Sequence, residues 1–248
     1  TYALTRQIPE ILVNITAMLG TGVTPGMGNL MGAGELDKLK RLRVELMLIT
    51  WLAVVSIGSG IILWNKDFIG LWVGEEYFAG QSTTLLIVIM ITQFVLLRND
   101  ANIIDLTLDL RRKVLVALFS VCLSLAFSIG LLIDGWGVDG LCIGFIVGRL
   151  PLNVFFPALV GAKLGSTFRQ QLWGCYRPAV VAALMFTGAS WLSYRLAVDT
   201  WIQFVASVSL SYVVILSALL VLGLTSEQRT TLIQRVRKLS SQGVGTPA

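Results

Sequence analysis

The chain has 248 residues, 55% of them hydrophobic and 13% charged, whereas about a quarter of the residues of a soluble domain are charged; this much apolar surface cannot hide in one aqueous core, and the chain reads as an all-α integral membrane protein. Histidine is absent, which removes histidine acid–base chemistry, Ser-His-Asp triads and histidine metal sites. The net charge of +5 does not argue for nucleic acid, because the basic residues are distributed by membrane topology.

Crossing a bilayer takes about 20 mainly apolar residues, and seven segments qualify: 1–31, 45–64, 82–108, 114–133, 138–160, 178–196 and 201–224. The first is expected to be interrupted late, at Thr24-Pro25-Gly26-Met27-Gly28, before a polar corner, Gly32-Ala33-Gly34-Glu35-Leu36-Asp37, and a basic run of Lys38, Lys40, Arg41 and Arg43. Arg6, Pro9 and Glu10 lie inside it or close to it. Ionisable residues in a span usually face protein or water, and a proline there frees a carbonyl that must find another partner, so this segment is expected to border a cavity.

The second span is bounded by Asn65-Lys66-Asp67 and followed by 68–78, whose Trp72, Tyr77 and Phe78 suit the headgroup level. The third has an apolar core, 85–97, of only 13 residues. The helix is therefore expected to continue through Arg98, Asn99, Asp100, Asn102 and Asp105 to about Leu108, with Asn102 and Asp105 shielded from lipid; the alternative is an amphipathic surface segment over 98–113. The fourth ends at the tight turn Asp134-Gly135-Trp136-Gly137. The fifth has Arg149 at its centre, with Pro151 and Pro157 beyond. After the last span, 225–248 forms a basic tail with Arg229, Arg235, Arg237 and Lys238; its Leu232, Ile233, Val236 and Leu239 share a helical face that suits a membrane surface.

Loop charges set orientation. One side collects Lys38, Lys40, Arg41, Arg43, Arg111, Arg112, Lys113, Lys163, Arg169, Arg177 and the four basic residues of the tail; the other holds Lys66 and Arg195 among acids. This predicts a cytoplasmic C-terminus and an outside Thr1. The chain opens within a helix without a leader, so it reads as the C-terminal part of a longer protein. The cysteines Cys122, Cys142 and Cys175 lie in apolar sequence without metal spacing and read as packing residues; no metal or other cofactor is expected.

Three stretches carry a resemblance. They are Pro25 through Gly34-Glu35-Leu36-Asp37-Lys38-Leu39-Lys40-Arg41-Leu42, then Leu63-Trp64 through Phe68-Ile69-Gly70-Leu71-Trp72-Val73-Gly74-Glu75-Glu76-Tyr77, and Asp105 to Val114 with its Arg-Arg-Lys. In order and spacing they resemble the polysaccharide and lipid-linked oligosaccharide flippases of the multidrug/oligosaccharidyl-lipid/polysaccharide exporter superfamily. The resemblance implies two lobes that rock around a central cavity binding a lipid-linked sugar diphosphate. This chain would supply the second lobe and extra terminal helices, in a bacterial cytoplasmic membrane, and would be a transporter rather than an enzyme. Its implied partners are membrane lipid, an anionic lipid-linked glycan, a missing N-terminal lobe and polysaccharide assembly proteins.

A diphosphate in a low-dielectric cavity calls for arginine, whose fork pairs bidentately with phosphate oxygens. Arg149 is the first candidate, followed by Arg6 and Arg98. The competing reading pairs Arg149 with Asp100 or Asp105, Arg6 with Glu10 four residues on, and Arg98 with Asp100. Asp100 and Asp105 could alternatively bind a coupling proton or Na⁺. The loop Lys and Arg meet anionic lipid, and Trp51, Trp173, Trp191 and Trp201 read as interface anchors or packing residues. Two other classes stay open: a non-transporting membrane subunit or split-gene remnant, and a multi-span glycosyl- or acyltransferase, for which the loops are short and histidine is lacking. The orientation is testable directly: a reporter that works only in the cytoplasm should be active when fused after Leu239 and inactive when inserted at Gly74, and the reverse pattern would overturn both the topology and the resemblance.

Overall fold

The computed structural model describes residues 2–107, 110–166 and 168–224. The basic tail 225–248, Leu108, and the side chains of Arg169, Trp173 and Cys175 lie outside the described residues. The fold is all-α: α1 (Tyr2–Gly32), α2 (Leu36–Trp72), α3 (Gln81–Leu106), α4 (Leu110–Ile133), α5 (Gly137–Gly148), α6 (Leu150–Leu164), α7 (Phe168–Ser193) and α8 (Trp201–Ala218), which closes in a π turn, Leu219–Gly223. Helices satisfy their own backbone hydrogen bonds, as a bilayer interior requires. Among the described residues six helical units are long and apolar enough to cross a membrane: α1, α2, α3, α4, the joined α5–α6 and α8 with its π turn. This is a multi-pass helical membrane protein.

Several expected boundaries change. The seventh expected span, 178–196, belongs to α7, which is 26 residues long but is not among the six; Tyr176 and Arg177 precede its apolar run, and Thr187, Gly188, Ser190 and Ser193 dilute it. No interruption occurs at Pro25: α1 is continuous, with Pro9 and Pro25 inside it. Helix α2 begins at Leu36, so the basic run sits on its first two turns, and it continues past Asn65, which is buried. Its 37 residues rise about 55 Å, against a hydrocarbon core of about 30 Å, so its ends stand at headgroup level. The third span is helical through Leu106, as its short apolar core demands; Asn99 and Asp100 are buried there. Asp105, however, is exposed rather than shielded.

Helix α2 is the axis of the bundle and packs against α1, α3, α7 and α8. One apolar core joins Leu12 of α1, Val54 and Ile62 of α2, Ile87 and Ile91 of α3, and Phe186 of α7. A second, towards the basic end, joins Met27, Leu39, Leu46, Ile103, Phe156 and Val160. Helices α4 and α5 form a separate kind of contact. Ser120, Ser124 and Ser128 recur every four residues on α4, and Gly140, Gly144 and Gly148 do so on α5; all six are buried. A β-carbon at Gly144 would collide with the backbone of Ser128, and one at Gly148 with that of Ser124. Small residues at this spacing let two backbones approach, which is the main source of helix association where lipid supplies no hydrophobic drive.

The two kinds of glycine on this hairpin should therefore behave oppositely. Gly130 has nothing within 4 Å of its missing β-carbon. Gly144→Ala should lower stability by roughly 1–3 kcal/mol through overpacking, whereas Gly130→Ala should be neutral or slightly stabilising through helix propensity. Thermal unfolding of the purified variants in one detergent decides the matter, and equal effects would contradict the packing.

Candidate functional site

The exposed surface divides by chemistry. The outward side of α4 is Val114, Leu115, Leu118, Phe119, Val121, Leu125, Ile129 and Leu132, the composition that suits acyl chains. The outward side of α1 is mixed: Ile11, Ile15 and Met18 are exposed in its middle, and Arg6, Gln7, Glu10, Asn14, Thr21, Pro25 and Asn29 are exposed along it. Polar residues at membrane depth usually face a protein interior or a water-filled space, which sets this side of α1 apart from the wholly apolar outward side of α4.

A narrow crevice, too tight to hold a water molecule, runs between α1 and α3, bordered by Thr16 and Gly20 on one wall and Phe94, Arg98, Asn99 and Asn102 on the other. The joint between α5 and α6 meets α3 at Phe94, one of the residues that border this crevice. Arg149 sits at that joint, between Gly148 and Leu150. Its guanidinium lies 5.5 Å from the ring centroid of Phe94 and 5.5 Å from that of Phe145. Phe94 is thus flanked by two arginines: Arg149 over its ring, and Arg98 one turn along α3. Among the described residues neither arginine forms an ion pair with a carboxylate.

The carboxylates expected to neutralise them are engaged elsewhere. Asp100 Oδ1 accepts from Arg43 Nε at 3.0 Å and Arg43 Nη2 at 2.8 Å, with side-chain exposures of only 11% for Arg43 and 5% for Asp100. Asn99 Nδ2 donates to Thr50 Oγ1 at 2.8 Å and extends this seam between α2 and α3. Asp105 accepts from Lys113 Nζ at 2.6 Å. The expected pairings of Arg149 with Asp100 or Asp105, and of Arg98 with Asp100, are therefore not formed. The reason for Arg98 is helical geometry: residues two apart point to different sides, so Asp100 meets α2 while Arg98 borders the crevice.

Arg6 and Glu10 do pair along α1, at 3.0 Å, but at the opposite end of the bundle. Thr5 is tied there, its Oγ1 accepting from the Ala79 backbone N–H at 3.0 Å and its carbonyl accepting from Asn65 Nδ2 at 3.1 Å. Asn65 also donates to Thr84 Oγ1, and Thr84 stands 14 residues before Arg98, about 21 Å along the helix. Arg98 and Arg149 both border Phe94, and Arg6 lies apart from them. It also resolves the Pro9 problem: proline has no N–H for the Thr5 carbonyl, and the Asn65 amide supplies the missing donor.

Comparison with protein-family models, with curated proteins and with solved structures finds no match. The site therefore rests on its geometry.

Three participants escaped sequence reasoning. Arg43 looked like one more topological charge; its position on the second turn of a helix that starts at Leu36 is what turns it inward. Phe94 sat unremarked in an apolar run. The Ser and Gly ladders were visible as two four-residue repeats that face each other across a tight turn. The Arg43–Asp100 pair yields a sharp expectation. Removing one partner leaves a buried charge and costs about 3–5 kcal/mol, whereas replacing both by apolar groups of similar volume is often neutral. Arg43→Met should lower the thermal midpoint strongly, and adding Asp100→Leu should recover most of it. Equal loss in the single and double variants would show that the pair is not the source of the stability.

Proposed function

We propose that this chain is the lobe of an alternating-access transporter that flips an anionic lipid-linked oligosaccharide or polysaccharide precursor across a bacterial cytoplasmic membrane, with its C-terminus cytoplasmic. The observation that carries the reading is that Arg98 and Arg149 both border Phe94, and that among the described residues neither is paired with a carboxylate. Two fixed positive charges at membrane depth favour a ligand carrying two negative ones. A diphosphate meets that need, and guanidinium forks match its oxygens. The polar residues along α1 would then line the water-filled side of the pathway, opposite a second lobe, and the apolar face of α4 would meet lipid. The multi-pass fold and the resemblance in the order of the hairpins support the transport reading.

Arg149 is the residue to test. A lost charge-assisted hydrogen bond is worth about 1.5–3 kcal/mol, so Arg149→Ala should lower glycan export by roughly tenfold or more while the protein inserts at normal abundance. Arg149→Lys, which keeps the charge and loses the fork, should be impaired less. Export in cells that depend on the protein is the measurement, and full export by Arg149→Ala at normal abundance would end the proposal.

A further inference from the structure

The joint that carries Arg149 is held open from outside its own helix. The backbone ladder of α5 ends with the Arg149 N–H, which bonds the Phe145 carbonyl at 3.2 Å and is shared with Val147. The ladder of α6 restarts at the Arg149 carbonyl, which accepts from the Leu152 N–H at 3.0 Å and from the Asn153 N–H at 3.3 Å. Three carbonyls fall between, those of Ile146, Val147 and Gly148. In a straight helix their donors would be the N–H groups of Leu150, residue 151 and Leu152. Residue 151 is proline and has no N–H, which accounts for one carbonyl only. The other two are met by neighbouring helices. Gln93 Nε2 of α3 donates to the Ile146 carbonyl at 3.1 Å, and Ser120 Oγ of α4 donates to the Gly148 carbonyl at 2.6 Å.

These two bonds compete directly with straightening. A broken helix inside a bilayer persists where neighbouring side chains take up the freed backbone groups, and an unmet one is costly there. The Gln93 amide is committed to this task at its own expense: its Oε1 is buried without a partner among the described residues. Gln93 also immediately precedes Phe94, the ring on which the Arg149 guanidinium stands. The Ser120 bond uses the first rung of the serine ladder, so the α4–α5 contact and the joint are one construction.

We propose that Gln93 and Ser120 are positioning residues, which by taking the Ile146 and Gly148 carbonyls keep the α5–α6 joint open and so fix where the Arg149 guanidinium stands. The geometric part is independent of function; the consequence for transport rests on the reading of Arg149 as a headgroup ligand.

The test uses two spin labels, at Trp136→Cys and Ala162→Cys, which are exposed on either side of the joint, with Cys122, Cys142 and Cys175 replaced. Distances are recorded by electron–electron resonance in nanodiscs for Gln93→Met, Ser120→Ala, the double variant and Pro151→Ala. The expected result is a shifted or broadened distance distribution in each of the first two, a larger change in the double variant, and the parent distribution in Pro151→Ala, whose side-chain donors are intact. Parent distributions in both single variants, or straightening by Pro151→Ala alone, would overturn the proposal; the singles decide it if the double variant does not fold. Glycan export is measured in parallel and should fall in Gln93→Met at normal abundance. A changed distribution with full export would leave the joint standing and remove the headgroup reading of Arg149 instead.

Discussion

A guanidinium and a carboxylate buried together between α2 and α3 set the terms for this bundle. Hydrocarbon offers neither charge nor hydrogen bond, so Arg43 and Asp100 must meet each other, and in meeting they fix the register of the two central helices at one end. At the other end Asn65 performs the equivalent task with Thr5 and Thr84. Arg43 and Asn65 are 22 residues apart on α2, which is about 33 Å of rise and close to the thickness of a hydrocarbon core. The apolar contacts of Val54, Ile62, Ile87 and Ile91 fill the interval. Apolar packing is non-directional and does not by itself select one register of two greasy helices; the polar fastenings at the ends do.

The α4–α5 hairpin solves the same problem without charge. Its glycines bring two backbones so close that serine hydroxyls reach across, Ser120 to the Gly148 carbonyl and Ser128 to that of Leu141. Close approach and broken helix belong together here. Gly148 must be bare for Ser124 to pack on it, and because it is bare and adjacent, its carbonyl lies within reach of Ser120 when the ladder stops at Arg149.

How far this was legible in the sequence depends on which physical signal each element carries. Length and hydropathy reveal spans, and they revealed α3 as longer than its apolar core because 13 residues cannot cross. Periodicity says which residues share a side of one helix, and it places Arg6 with Glu10 correctly. Neither signal reports what lies across from a residue. Arg43, Asn65 and Gln93 look like a topology marker, a loop residue and a polar interruption; their partners are Asp100, Thr5 and Ile146, each on another element. Asp100 was expected to meet Arg149 or Arg98, or a coupling ion; its partner is Arg43 on α2, and helical rotation turns Arg98 away from it. The break at Arg149 shows the same limit: the sequence shows Pro151, whereas the side chains that hold the break come from α3 and α4.

Magnitudes distinguish two arginines, Arg149 and Arg43. An arginine at the centre of a lipid-facing helix costs about 2.5–3.5 kcal/mol on insertion scales. A desolvated cation–π contact returns about 2 kcal/mol, so the rings of Phe94 and Phe145 offset much of the cost of placing Arg149 there. They do so without using its hydrogen bonds: an arginine has five N–H donors, and π faces satisfy none of them in the way an oxygen does. Arg43 shows the contrasting case within the same protein, where two of those donors end on the Asp100 carboxylate. The two arginines are therefore held in different ways, one neutralised in the packed interior and one supported by aromatic rings with its charge unmatched. A charge kept in place but left unmatched is most stable when water or an anion can reach it.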